Sequence, residues 1–336
     1  MKPISIVNEI TPEEIYVEII MGSTCNFNCS YCFPGCNDGK YRWPIGKQQD
    51  IFYKNLIYIF DVFKEYGKKN FIINVTGGEP TLWPGLGNFA KFFKETYGAR
   101  VIMSSNGSRT LRWWEKNAKY FSGINISVHN EEVDVDHTIQ VLDWIYLNTD
   151  TSVRASVLMD IKNWDKCKNI VDKLQAHDVP WLLNAGAVMV GDDMIDYSKE
   201  QLEYLQPRSK KIPPKEYIEK MKEKNNIVIR DNKIFTVYED GSREQFSSVK
   251  WYANNWHRLE GWECNLGVER FYIWMDGDIK GGCGATNLFN RTVPLNIYDE
   301  SLPNKFFLKD ILPLICKYKA CVCSSELQVN KRKVND

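Results

Sequence analysis

Residues 25–32 read CNFNCSYC, so Cys25, Cys29 and Cys32 stand together just after an apolar run, residues 15–21, that ends at Gly22. Three thiolates in one loop can wrap one face of a cubic iron–sulfur cluster and leave a fourth iron open to a small molecule. Structural zinc sites use cysteines two residues apart and close all four ligands, whereas three residues separate Cys25 from Cys29. Two readings of Cys36 stay open: a fourth ligand that closes a zinc or iron–sulfur site, or a free thiol beside the cluster.

Outward from this loop, strand and helix patterns alternate. Residues 48–66 place Phe52, Leu56, Ile59, Phe60 and Phe63 at helical spacing. Residues 71–75 form a buried-strand run closing at Gly77. Helices are expected at 86–97, 111–121, 135–147 and 164–176, and strands at 101–104, 124–128, 153–159 and 181–190. Six such units have the length of βαβ modules, whose short connections give a parallel sheet. The expected fold is α/β: a partial (β/α)6 barrel of the TIM type over residues 1–200, a linker with one short helix over 201–225, and a small α+β domain over 226–336. In that last part 227–229 and 234–238 read as strands. Residues 271–280 read as a hairpin with an Asp276–Gly277 turn. Parallel barrels carry their chemistry in loops after the strands. The cysteine loop, TGGEP (76–80), Ser105–Gly107 and His129 follow successive strands here.

Composition narrows the class. Lys plus Arg and Asp plus Glu both number 43, so the formal charge is zero. That argues against a nucleic-acid-binding surface, with a local basic patch left open. No apolar stretch is long enough to span a bilayer, and the N-terminus carries acids where a signal peptide needs an apolar core. A chain of 336 residues buries a core without disulfides, so its ten cysteines point to metal chemistry in a reducing compartment. The expectation is a cytoplasmic enzyme with neither a membrane nor a nucleic acid as partner.

CNFNCSYC, together with TGGEP on the next strand, resembles the signature of the radical S-adenosylmethionine (SAM) superfamily. The resemblance implies that Cys25, Cys29 and Cys32 hold a [4Fe-4S] cluster whose open iron chelates the amino and carboxylate groups of SAM. Reductive cleavage of SAM then yields a 5′-deoxyadenosyl radical that abstracts a substrate hydrogen. It further implies that Gly77, Gly78, Glu79 and Pro80 receive the amino group of SAM, and that Tyr31 and Phe33 contact its adenine. Asn106 and Ser127 lie where family members hold ribose, carboxylate or substrate. Arg154 would pair with a carboxylate, and His129 would touch substrate or SAM. For Asn106, Ser127 and Arg154 ordinary strand-end capping is the competing reading; for His129 it is packing. No residue stands out as a catalytic acid or base. A reducing donor such as flavodoxin or ferredoxin is implied as partner.

A second cysteine group, Cys264, Cys283, Cys316, Cys321 and Cys323, is ordered like the twitch domain, a shortened SPASM domain. Five thiols fit one auxiliary [4Fe-4S] cluster rather than two. The ending Cys-x4-Cys-x-Cys departs from the commoner Cys-x2-Cys and leaves the fourth ligand open. A zinc site built from four of them is the alternative. The Trp-rich segment 251–262 precedes Cys264 and reads as a helix packing on the barrel mouth, with substrate lining as its second reading. About 14 residues precede the first expected strand, too few for a leader-peptide-binding domain. The expected substrate is therefore a small molecule (sugar, nucleotide or amino acid), to be oxidised or rearranged. A ribosomally made peptide is the alternative, and a non-catalytic iron–sulfur or zinc scaffold is the alternative of another class.

Overall fold

A computed structural model describes residues 2–9, 13–32, 35–190, 193–194, 197–205, 209–224, 234–247, 250–251, 254–282, 293–317, 319–321 and 327–334. Contacts divide the chain into two compact units, each discontinuous in sequence. One comprises residues 1–20, 44–73 and 231–336, the other residues 21–43 and 74–230.

In the second unit the parallel alternation is observed nearly as read. Strands β4 (Arg100–Ser105), β5 (Gly123–Val128), β6 (Ser152–Met159) and β7 (Leu182–Ala187) pair in parallel in chain order. They follow β3 (Asn70–Thr76), along which the chain passes from one unit to the other. The connections are the helices α2 (Leu86–Tyr97), α3 (Leu111–Asn117), α4 (Val135–Asn148) and α5 (Trp164–Ala176). Asp134 caps α4 by accepting the His137 amide at 3.0 Å, satisfying one of the amides orphaned at a helix start. The expected helix 111–121 breaks after Asn117 into a 3-10 turn, Ala118–Tyr120. This α/β core has the parallel sheet that the alternation predicts.

The first unit holds β1 (Pro3–Asn8), β2 (Glu14–Ile20) and α1 (Lys47–Glu65). Phe60 of α1 stacks on Phe71 with ring centroids 4.5 Å apart, and Phe63 lies parallel to Phe271 at 5.7 Å. The run first taken from sequence as the opening strand is thus the second. β1 precedes it, paired antiparallel with Ile234–Tyr238 on one side and Lys331–Arg332 on the other. Its short, mixed sequence PISIVN shows no clean alternation, which is why local pattern misses it.

The hairpin forms as read. Arg270–Ile273 pairs antiparallel with Asp278–Lys280, and Gly277 takes a φ of 87° in the turn. Its first strand also lies parallel to β2, Phe271 opposite Val17. The segment 251–262 is not one helix, because turns occupy 254–257. Trp251 instead fills a core with Ile6, Ile234, Leu259, Cys321 and Leu327, and its indole N–H donates to Thr236 Oγ1 at 2.8 Å. These tryptophans pack in this unit's own core, not as a helix on the barrel mouth. The expected strand 227–229 lies outside the described residues. No helix among the described residues is long and apolar enough to cross a membrane.

Candidate functional site

The cysteine loop is closed by its own polar groups. The Ser23 amide donates to Tyr41 O at 2.8 Å, and Ser23 Oγ accepts from the Tyr41 amide at 3.0 Å. Ser23 Oγ also donates to Asp38 at 2.5 Å. Next to this closure, Gly22 has a φ of 82°, and a Cβ there would meet the Trp43 indole at 2.7 Å. Trp43 in turn lies parallel to Trp83, 5.9 Å away. Only glycine allows both that backbone conformation and that contact.

TGGEP docks against the start of this loop. The Gly78 amide donates to Gly22 O and the Glu79 amide to Thr24 O, both at 2.9 Å. A Cβ on Gly78 would stand 2.3 Å from Thr24 O, so the strand end and the loop meet backbone to backbone. Pro80 is buried at the start of a 3-10 turn, Pro80–Leu82. Glu79 is buried, only 1% exposed. Its Oε1 accepts from Thr81 N (2.9 Å), Thr81 Oγ1 (2.5 Å) and Ser105 Oγ (2.8 Å), and its Oε2 accepts from Asn106 N at 2.7 Å. Burial pushes its pKa up, and these four donors oppose the shift.

Through Glu79, Asn106 is brought to the cysteines. Its side-chain amide donates to Cys25 Sγ at 3.8 Å and to Asn26 Oδ1 at 3.1 Å. The Phe27 amide donates to the same sulfur at 3.4 Å. Burial pushes the Cys25 thiol up while these donors pull it down. Burial and the neighbouring Cys32 and Cys25 push Cys29 up to about 12, and burial takes Cys36 up to about 11. None of the described cysteines is in a disulfide. Among the described residues, no three His, Cys, Asp or Glu side chains stand at the spacing of ligands to one metal ion. A cubane differs from such a site in spreading its thiolates over separate irons.

His129 follows β5 and packs on the loop. It stacks on Tyr31 at 5.9 Å with an interplanar angle of 19° and meets Phe27 edge-on at 6.2 Å. Burial lowers its pKa to about 4, so the ring is neutral near pH 7. Burial also raises the Tyr31 phenol.

Ser127 and Arg154 meet through a residue the sequence reading passed over. Asn125 Oδ1 accepts from Arg154 Nε at 3.0 Å and from Ser156 Oγ at 2.7 Å, and its Nδ2 donates to Ser127 Oγ at 3.3 Å and Ser104 Oγ at 3.4 Å. Asn184 lies opposite Ser156 on β7. These side chains share one sheet face, while Ile124, Ile126, Val153, Ala155 and Val157 occupy the other, buried face. The missed signal was polar residues at every second position of strands that a parallel sheet normally makes continuously apolar.

In the other unit Cys264 is buried, opposite Leu314 in the ladder, and Cys316 follows two residues later. The Cys316 amide donates to Trp262 O and the Cys321 amide to His257 O, both at 2.8 Å. Burial raises the Cys264 thiol, and Lys331 opposes it. Phe33, Cys283 and Cys323 lie outside the described residues.

Residues 19–183 match the profile of the radical SAM superfamily. A GTP 3′,8-cyclase of Actinobacillus pleuropneumoniae serotype 3 (strain JL03) is 29% identical over 127 residues, covering 37% of this chain and 35% of that protein. One from Haemophilus influenzae (strain 86-028NP) is 30% identical over 128 residues, 37% of this chain and 36% of that protein. The match thus spans about a third of the length of these curated relatives. Among solved structures, native anSMEcpe with bound AdoMet gives a TM-score of 0.47 at 15% identity, over 88% of this chain and 84% of that one. Coproporphyrinogen III oxidase from Escherichia coli gives 0.40 at 11%, over 80% and 64%.

Proposed function

Because this chain carries a radical SAM domain over residues 19–183, and so belongs to that superfamily, we propose that Cys25, Cys29 and Cys32 hold its [4Fe-4S] cluster beside bound SAM. The observation that carries this reading is the loop itself: a closed turn presenting three thiols, with two N–H donors on Cys25 Sγ. Such donors stabilise a cluster-bound sulfur and tune its potential, so the residues present fit the group. When bound, cluster and SAM supply reductive C–S cleavage and a carbon radical that removes a hydrogen atom from the substrate.

The chain's own residues prepare the site. Gly78 permits the close approach of backbones at the loop's start. Glu79 acts from beneath, fixing Asn106, which reaches Cys25. Tyr31 would contact the adenine, a role the family resemblance also gives to Phe33, and Pro80 and Gly77 would shape the turn that receives the amino group. Arg154, its guanidinium held at Nε by Asn125, and Ser127 offer a carboxylate partner on the polar sheet face. His129 serves by packing against Tyr31.

The substrate we propose is a small molecule, oxidised or rearranged. A nucleotide is supported by the relatives named for GTP, within the third of their length that matches. Cys264, Cys283, Cys316, Cys321 and Cys323, in the twitch-like section 226–336, would hold one auxiliary cluster. The enzyme would work in the reducing cytoplasm with a flavodoxin- or ferredoxin-like donor.

The test is anaerobic reconstitution followed by dithionite. Wild type should convert SAM to 5′-deoxyadenosine and Cys36→Ala should keep doing so, whereas Cys25→Ala, Cys29→Ala and Cys32→Ala should each stop it. Full turnover by Cys32→Ala would end the assignment. Iron should number about eight per chain in wild type and about four in the triple variant, four for each cubane. Stoichiometric zinc in the triple variant would instead place zinc at the C-terminal thiols.

A further inference from the structure

Between Cys29 and Cys32 the loop has only Ser30 and Tyr31, and both are gripped by the three residues that follow β5. Ser30 donates its backbone N–H to Glu131 Oε2 and its hydroxyl to Glu131 Oε1, each at 2.6 Å. Asn130 Nδ2 lies 3.5 Å from Tyr31 Oη. His129 stacks on the Tyr31 ring, with Nδ1 3.4 Å from the same oxygen. The contacts join positions about a hundred apart in sequence. They fall on a turn in which the Cys32 amide donates to Cys29 O at 3.1 Å.

We propose that His129–Asn130–Glu131 is a clamp that presets the Cys29–Cys32 turn for cluster binding, with Glu131 its principal positioning residue. The inference rests on the proposed cluster ligands and adds to them a group that acts on the loop through Ser30 and Tyr31. The physical case is one of geometry. A carboxylate taking two donors from one residue fixes both the position and the rotation of that residue's backbone. The sulfurs on either side of Ser30 therefore begin near their bound spacing, and the cluster does not have to order them. Preorganisation of this kind lowers the entropic cost of ligation and slows ligand loss. The contact is near the surface, so its effect should be moderate and salt-sensitive.

Two measurements test the clamp. In the metal-free protein, Glu131→Ala should speed hydrogen exchange across residues 26–32 by about tenfold, the loss expected for a two-donor carboxylate contact. Glu131→Gln, which keeps one acceptor, should have an intermediate effect. In reconstituted protein, Glu131→Ala should release the SAM-responsive cluster to a chelator about tenfold faster, with Glu131→Gln again between. Circular dichroism and SAM-independent C-terminal iron should stay at wild-type values. Unchanged exchange in Glu131→Ala would remove the clamp. Faster exchange with unchanged cluster release would remove its positioning role. Failure of the underlying reading looks different: the Cys25/Cys29/Cys32→Ala triple variant would then bind as much iron as wild type.

Discussion

Glu79 sits where the motif was read, with its carboxylate turned inward. The sequence offered a carboxylate in a glycine turn; the fold buries it under four donors. In Glu79→Gln either orientation of the amide sets an N–H₂ against a backbone N–H. About 1–3 kcal/mol of stability should be lost through that mismatch, seen as a lower urea midpoint of the metal-free protein. A variant that unfolds like wild type but binds SAM weakly would favour a direct SAM contact over this structural role. His129 gives a pH test of the same kind. Burial lowers its folded pKa to about 4, against about 6.5 in an unfolded chain. Its contribution is therefore complete above about pH 6.5 and is lost as pH falls toward 4, because only the unfolded chain takes up the proton. His129→Phe keeps a ring against Tyr31 and removes the titration. Its unfolding free energy should fall less steeply than wild type between pH 6.5 and 4.

At the scale of elements, most of the second unit was legible. Long apolar runs between glycines gave β3 to β7, and helical spacing gave α1, α2, α4 and α5 to within a residue or two. Local pattern failed where pairing is long-range. β1 is a strand because Ile234–Tyr238 and Lys331–Arg332 flank it, and no feature within six residues records that. The cysteine loop and TGGEP were legible as two strand-end segments, and the structure brings them together backbone to backbone. The site was illegible at Asn125 and Glu131, whose roles exist only after distant strands and loops meet. Asn125→Leu should cost about 1–3 kcal/mol, since it removes the acceptor shared by Arg154 Nε and Ser156 Oγ and leaves the buried Ser156 hydroxyl and the half-buried guanidinium to find other partners. Chemical denaturation measures the loss; a change below about 0.5 kcal/mol, the ordinary size of a surface substitution, would show that the network is dispensable.

At the scale of the whole molecule, sequence order and compactness part company. The unit containing the C-terminal cysteines begins with the first residues of the chain. Ile6 is 1% exposed in the same core as Cys321 and Trp251. Asn8 accepts from and donates to the segment 328–330, its amide reaching Asn330 Oδ1 at 2.7 Å and its side chain Gln328 O at 3.0 Å. Deleting residues 2–8 should therefore cost about 3 kcal/mol or more in this unit, from one buried isoleucine and its sheet bonds. The emission of Trp251 should then shift to the red at lower urea. A truncated chain with an unchanged midpoint would show that β1 only decorates the sheet.

The parallel pair Trp43 and Trp83, buried where the cysteine loop closes, gives the molecule an optical gauge of its own state. Iron–sulfur chromophores absorb broadly across the wavelengths at which indoles emit, so a cluster seated in this loop would drain the light of these two rings. Loading and loss of the cofactor would then be visible in real time in the unlabelled protein, as dimming and recovery of ultraviolet fluorescence that fades when Trp43 and Trp83 are both replaced by phenylalanine.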